Sequence, residues 1–344
     1  MGHEINNIRP LLLEEKNYTE YWEQYFYLDD GSLVTSQYLV ANFPWPVGKD
    51  HGIMLGTLVT PDGKQYVIKN GRKFGNWGYK EDSLDLFIHT HRLTGDGNKF
   101  TVHLENTMAT ANLELTSNIE PFNHESYSSN DGFIETSFYA PSLNGNGNWQ
   151  LGPEAGFDPP GPIHKVTKAE GFGVHVLMTD KVDKLIQNWT RVIGIGTSEE
   201  KPFLSAIIRP DGTEDFILKL ITDNSVSDQF SNVKIKYKDM KKDNNVEYPK
   251  EIELSATSDK GTISGSIKFN KKFSHFNLKE ELNFFERSFA KSSPSVINFR
   301  YSADYELVYK TQAGEKILSG KALGEYTDIS AAKKAPTKRR RNRR

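Results

Sequence analysis

Leu55–Ile68 reads LGTLVTPDGKQYVI, and Leu204–Leu218 reads LSAIIRPDGTEDFIL. In each, an apolar run meets Pro-Asp-Gly and a second apolar run follows. Proline presets the first turn position and glycine accepts positive φ, so the pattern is that of a β-hairpin. Pro61 and Pro210 stand 149 residues apart, as do Leu55 and Leu204. Further on, FTVHLENTMATANLELT from Phe100 has a counterpart in IELSATSDKGTISGSIKF from Ile252, each a strand, a short turn and a strand. Turn chemistry recurs without ancestry. The shared order of elements around the turns is what points to two related antiparallel modules in tandem.

The rest of the chain extends this pattern. Aromatics make up 12% of the residues, and such side chains favour pleated, half-buried surfaces. Tyr21–Leu28 ends at Asp29-Asp30-Gly31, another hairpin signal, and Leu84–Leu93, Lys99–Glu105 and Thr110–Thr116 continue a meander. Helical signal is scarce. Phe276–Phe289 repeats Leu278, Leu282, Phe285 and Phe289 at helical spacing, and 180–187 has room for one or two turns with Asp180 as cap. Pro141–Pro162, rich in glycine and proline, reads as a long loop. The expected organisation is all-β: an N-terminal module over 1–180, a C-terminal module over 181–330 with one short helix, and a basic tail over 331–344.

The chain has no cysteine, which removes disulfides, thiol nucleophiles and cysteine-ligated metals. No basic, apolar leader opens the chain, and no run approaches the ~18 apolar residues of a membrane helix, so a soluble cytoplasmic protein is expected. The net charge of −2 conceals an asymmetry. Residues 333–344 hold eight of the 43 basic residues and no acid, leaving a body of 35 basic against 45 acidic residues. Such a tail suits an anionic membrane or another polyanion, or is simply solvated; the acidic body speaks against a broad nucleic-acid surface.

No standard catalytic or phosphate-binding motif is present. His89-x-His91 would place two imidazoles on one face of a strand, without an evident third metal ligand. His124-Glu125 lies in a polar loop. The most unusual segment is Gly171–Gly196, GFGVHVLMTDKVDKLIQNWTRVIGIG. His175 sits inside an apolar run, and Trp189 and Arg191 share a face if their segment is a strand. A polar group in an apolar core is paired or useful. Either His175 and Arg191 are core residues satisfied by backbone carbonyls, or they reach a ligand, with Trp189 as an apolar wall.

Together with Gln37–Asn42, HGIMLGTLVTPDGKQYVIKN (51–70) and NWGYKEDSLDLFIHTHRLTGDGNKFTVHL (76–104), the segments GFGVHV and NWTRVIGIG give a chain that resembles the double-lipocalin superfamily. This superfamily comprises AttH-type proteins, CrtC-type carotenoid hydratases and the survival-factor proteins of yeast. The resemblance covers nearly everything up to residue 325 but lacks the acidic, tryptophan-containing motif that CrtC-type proteins carry after the first module. It implies two lipocalin-like barrels and a pocket for an isoprenoid, polyketide or lipid, with no cofactor and no metal. Members include hydratases and polyketide cyclases, while others are lipid carriers. In an enzyme of this kind His175 would be the acid or orienting donor, Arg191 would hold a carboxylate or carbonyl, and Trp189 would form the wall. Asp304 and Glu325 are further acid candidates, and Tyr301 a further donor. The competing reading is a non-catalytic carrier with the same pocket.

Overall fold

The structure is a computed structural model that describes residues 9–42, 48–72, 75–129, 132–243, 246–277 and 295–330. The first part of the chain forms β1 (Thr19–Leu28), β2 (Leu33–Ala41), β3 (His51–Val59), β4 (Gln65–Arg72), β5 (Trp77–Tyr79), β6 (Leu84–Ile88), β7 (His91–Asp96), β8 (Lys99–Glu105), β9 (Ala109–Thr116), β10 (Phe122–Asn123), β11 (Tyr127–Ser128), β12 (Phe133–Leu151) and β13 (His164–Met178). A single turn of helix, α1 (Val182–Leu185), follows. The second part forms β14 (Asn188–Ile195), β15 (Lys201–Ile208), β16 (Glu214–Ile221), β17 (Val226–Lys238), β18 (Lys241–Asp243), β19 (Val246–Tyr248), β20 (Glu251–Thr257), β21 (Gly261–Asn277), β22 (Ser295–Thr311) and β23 (Gly314–Ser330).

These strands divide into two lipocalin-like units. β14-β15-β16-β17-β20-β21-β22-β23 close into an eight-stranded barrel. The first unit is an open, curled sheet ordered β4-β3-β2-β1-β13-β12-β9-β8-β7-β6-β5, with β10 and β11 added along β12. Its edge strands, β4 and β5, are not hydrogen-bonded to each other.

Period-two alternation sorts the apolar side chains into three cores. From β1, Tyr18 (just before the strand), Trp22 and Phe26 fill the hollow of the first sheet with Tyr38, Trp77 and Leu104. Val192, Leu204, Phe269, Phe299 and Tyr301 fill the barrel. The opposite faces pack the two units together: Tyr25, Phe138, Phe172, Val174 and Val176 from the first sheet meet Trp189, Ile193, Phe203, Ile207 and Leu323 on the outside of the barrel. β1, β13, β14 and β23 therefore bury both faces, which explains runs such as GFGVHVLM and NWTRVIGI that show no polar alternation.

Both Pro-Asp-Gly turns are hairpins, with Gly63 at φ +88° and Gly212 at φ +84°. Val59 pairs with Gln65, and Ile208 with Glu214, at the same 149-residue offset. Their topological places differ, however. Counted from the strand that pairs with the unit's last strand, the first joins strands three and four and the second joins strands two and three. The hairpin that corresponds in place is the other pair, β8–β9 and β20–β21. Each precedes two long strands, the last of which pairs with the unit's first. Strand order carries the internal repeat, and the Pro-Asp-Gly match is turn chemistry.

Two local expectations need correction, and a third lies almost wholly outside the described residues. Pro141–Pro162 is not one long loop, since β12 runs through it to Leu151. Its glycines mark close backbone approach: a Cβ on Gly145 would lie 1.9 Å from the Glu114 carbonyl oxygen, and one on Gly147 2.0 Å from that of Asn112. Asp180 does not cap α1 through its first free turn, because its carboxylate accepts from the Lys181 N–H at 2.7 Å and pairs with Lys184. The helix expected over Phe276–Phe289 lies outside the described residues, except that Phe276 and Asn277 end β21. No helix among the described residues is long and apolar enough to cross a membrane.

Candidate functional site

Two buried polar clusters stand out, on opposite faces of β1. The first lies in the hollow of the first sheet. Register places His175 of β13 directly across from Trp22 of β1, and their rings stack with centroids 4.5 Å apart and planes 10° from parallel. His175 Nε2 lies 2.7 Å from Glu20 Oε1. The other oxygen of Glu20 accepts from the Tyr18 hydroxyl at 2.5 Å and from the Leu11 N–H at 2.9 Å. A carboxylate acceptor places the proton of His175 on Nε2 and leaves Nδ1 as a bare base. Among the described residues that Nδ1 has no hydrogen-bond partner, and neither has the indole N–H of Trp22, although both residues are essentially fully buried.

The second cluster lies between the two units. Arg191 of β14 donates from Nη2 to Glu23 of β1 at 2.7 Å and to Glu325 of β23 at 2.7 Å. Its guanidinium lies 4.5 Å from the Trp189 ring and 5.2 and 5.3 Å from those of Tyr25 and Phe172. Arg300 donates to the Tyr25 hydroxyl at 3.2 Å, and Thr327 donates to Glu325 at 2.9 Å, with Asn298 also donating to Glu325. Two carboxylates and two guanidiniums thus neutralise each other out of water. Burial pushes the Glu23 carboxyl above the ordinary glutamate range, although Arg191 opposes the shift. The cavity here, bordered by Tyr25, Arg191, Arg300 and Glu325, measures about 10 Å3, room for a single water.

The predicted residues therefore separate. Trp189, Arg191 and Glu325 meet in the inter-unit cluster. His175 does not join them. Its neighbours Val174 and Val176 face the barrel, so alternation turns His175 into the first sheet. Tyr301 alternates away from Arg300 into the barrel, where its ring stacks 4.7 Å from Phe269 and burial holds its hydroxyl in the protonated form. Asp304 is a surface carboxylate in a wide groove on the outer barrel wall. Its bond to Lys321 at 2.6 Å holds its pKa below the ordinary range, the reverse of what a proton donor needs. His89 has φ +58° in a turn while His91 is buried, so the two do not share a strand face, and no group of three metal-ligating side chains occurs among the described residues.

Sequence reasoning missed Glu20, Trp22, Glu23 and Tyr25. A signal existed in TEYWEQYFYL, where acids interrupt an aromatic strand. If that strand buries both faces, each acid must find a partner.

Comparison with solved structures shows what this architecture is. CghA, in its structure with Sch210972, aligns over 93% of this chain and 90% of its own, with TM-score 0.59 and 10% identity. The two-unit, lipocalin-like fold is shared between them. An AttH-type protein of Nitrosomonas europaea aligns over 90% of this chain and 92% of its own, with TM-score 0.55 and 10% identity. Kievitone hydratase from Nectria haematococca aligns over 96% and 93%, with TM-score 0.54 and 8% identity. No family profile and no curated protein sequence matches the chain.

Proposed function

We propose that this chain binds an apolar small molecule carrying a hydroxyl or carbonyl group, an isoprenoid or polyketide, beside the Trp22–His175 pair of its first sheet as the aromatic core there parts to admit it, and hydrates or cyclises it without a cofactor. The observation that carries this reading is the stacked Trp22–His175 pair, whose Trp22 Nε1 and His175 Nδ1 are both unpartnered among the described residues in an apolar core. Leaving a buried polar group unpaired costs about 1–3 kcal/mol, so such a pair is not kept for stability. A ligand hydroxyl could satisfy both, accepting from the Trp22 N–H and donating to His175 Nδ1. Glu20 then fixes the tautomer and stabilises the imidazolium as the proton moves, the role of the carboxylate in any carboxylate–histidine pair.

The first unit suits this role because, among the described residues, its end strands β4 and β5 are not paired with each other, whereas the barrel is closed by hydrogen bonds all round. A ligand can part β4 from β5 and β6 without breaking the ladder. The name of kievitone hydratase supports a hydratase reading by fold alone. A carrier would need the hollow but no oriented base, so the Glu20–His175 bond favours an enzyme.

The test is titration of the full chain with a fluorescent apolar probe, alongside native mass spectrometry of the purified protein for a co-purifying ligand. Trp22→Phe keeps the ring and removes the donor, and His175→Gln removes the base. Each should weaken retention of a hydroxylated ligand by about 5–30-fold, the worth of one hydrogen bond at roughly 1–2 kcal/mol. Wild-type retention in both variants, or no apolar binding by the parent, would refute the reading.

A further inference from the structure

A third buried cluster, independent of the His175 site, has the geometry of a nucleophilic triad. His124 follows β10 in the first unit, and its side chain reaches into the barrel wall. Its Nδ1 lies 2.9 Å from Asp215 Oδ2 on β16, and its Nε2 lies 2.8 Å from Ser205 Oγ on β15. Arg209 holds the same Asp215 oxygen at 3.4 Å and donates to the Glu125 carbonyl at 3.4 Å. Ser205 Oγ also accepts the Trp189 indole N–H at 3.1 Å. Because Trp189 can only donate, the hydroxyl proton of Ser205 is free to point at His124. Asp215, as an acceptor, places the imidazole's single proton on Nδ1 and leaves Nε2 to accept from Ser205. Every proton is then where a serine nucleophile requires it, with the base between the hydroxyl and an orienting carboxylate. This constellation arises on unrelated folds and is recognised by geometry.

The arrangement is also assembled in a telling way. The nucleophile and the acid belong to the barrel, while the base belongs to the first unit. Ser205 is wholly buried and His124 nearly so. The segment that carries His124 is fastened to the barrel by side chains: Phe122 packs edge-on against Phe203 at 4.8 Å, and Arg209 lies 4.0 Å over the Tyr127 ring. Displacing that segment, which also pairs with β12 through Phe122–Phe138, Tyr127–Ile134 and the His124 N–H on the Thr136 carbonyl, would take the base away from Ser205, and its return over an acyl group would restore it. Assembly of a catalytic group by closure is the logic of induced fit.

We propose that Ser205 is an acyl-accepting nucleophile, activated by His124 and oriented through Asp215, and that it acts on small activated esters captured as the 122–127 segment closes. Ser205 Oγ attacks the ester carbonyl and its proton passes to His124 Nε2. The alcohol leaves with that proton, giving an acyl-serine, and water, deprotonated by His124, releases the carboxylic acid and restores the serine. His124 touches the reacting hydroxyl and is the catalytic base; Asp215 acts through it as a positioning residue.

The experiment uses the full chain with p-nitrophenyl acetate, following release of nitrophenolate and locating the acetyl group by peptide mass mapping. Acetylation should map to Ser205 and vanish in Ser205→Ala. His124→Gln keeps hydrogen-bonding groups in the cluster but no base, and should slow acetylation by about 100-fold or more. Asp215→Asn should slow it too, with a shifted pH profile for the acetylation rate. Circular dichroism and thermal melting confirm that each variant is folded. A folded parent with no acyl group on Ser205 at saturating ester, or His124→Gln acetylated at the parent rate, overturns the proposal and leaves the cluster as a polar pin between the units.

Discussion

Replacing Arg191 with methionine keeps an unbranched apolar stem under the Trp189 ring and removes the one charge shared by Glu23 and Glu325. Two carboxylates are then left with the single guanidinium of Arg300. Breaking a buried ion pair by deleting one partner costs about 3–5 kcal/mol, because the remaining charge is left without compensation. The donors left to Glu325, Asn298 and Thr327, place its share near the low end, while Glu23 loses its hydrogen-bond partner. The double variant Glu23→Gln, Arg191→Met removes one charge of each sign, leaves Glu325 to balance Arg300, and should return to within about 1–2 kcal/mol of the parent, since a buried pair is worth little against neutral packing. The assay is urea unfolding followed by tryptophan fluorescence and circular dichroism, with equal slopes required before midpoints are compared. A single variant costing under about 1 kcal/mol, or a double as unstable as the single, would refute this account of the cluster. Loss of ligand binding with unchanged stability in Arg191→Met would instead return Arg191 to the role of ligand anchor expected from sequence.

Further outcomes follow from the same geometry. The raised pKa of Glu23 means that the folded chain holds that proton more tightly than the unfolded one. Its contribution to stability is present below the unfolded value of about 4.3 and is lost as pH rises through the higher folded value. Subtracting the Glu23→Gln stability curve from that of the parent should show this slope, and parallel curves would contradict it. Trp22→Phe removes an unpaired buried N–H and should leave the melting temperature unchanged or raised, even as it weakens ligand retention. Gly171→Ala would put a Cβ 1.7 Å from the Tyr25 carbonyl oxygen, which is backbone and cannot step aside. Destabilisation of at least about 1–3 kcal/mol is expected, with loss of amide protection along β1 and β13 in hydrogen exchange.

The fold was legible wherever information is local. The Pro-Asp-Gly turns, the alternation of β8 and β9 and the aromatic strands all announce antiparallel sheet. The same local reading failed at Asn144–Leu151, where glycines that look like a loop are required by neighbouring carbonyls more than 30 positions away in sequence. The candidate site was legible only in part. His175, Trp189, Arg191 and Glu325 were all visible as polar or aromatic residues on strands. His175 and Arg191 seemed to belong together because they are close in sequence, but the chain changes sheets between Met178 and Asn188. Their true partners, Glu20 for one and Glu23 with Glu325 for the other, lie over 130 residues distant. Pairing at that range is set by strand order, which no single segment encodes.

That strand order has a consequence for synthesis on the ribosome. β1 pairs with β13, Thr19 opposite Met178, and β14 pairs with β23, Asn188 opposite Asp328. The first strand of each unit waits for the last. At about 5–20 residues per second, each nascent unit spends roughly 8–30 s with one long side of its opening strand unpaired. For β1 that side adjoins Trp22 and Phe26, a sticky edge for as long as translation lasts. Codon usage and chaperone supply upstream of Met178 should therefore govern yield more strongly than any change to the finished protein's surface.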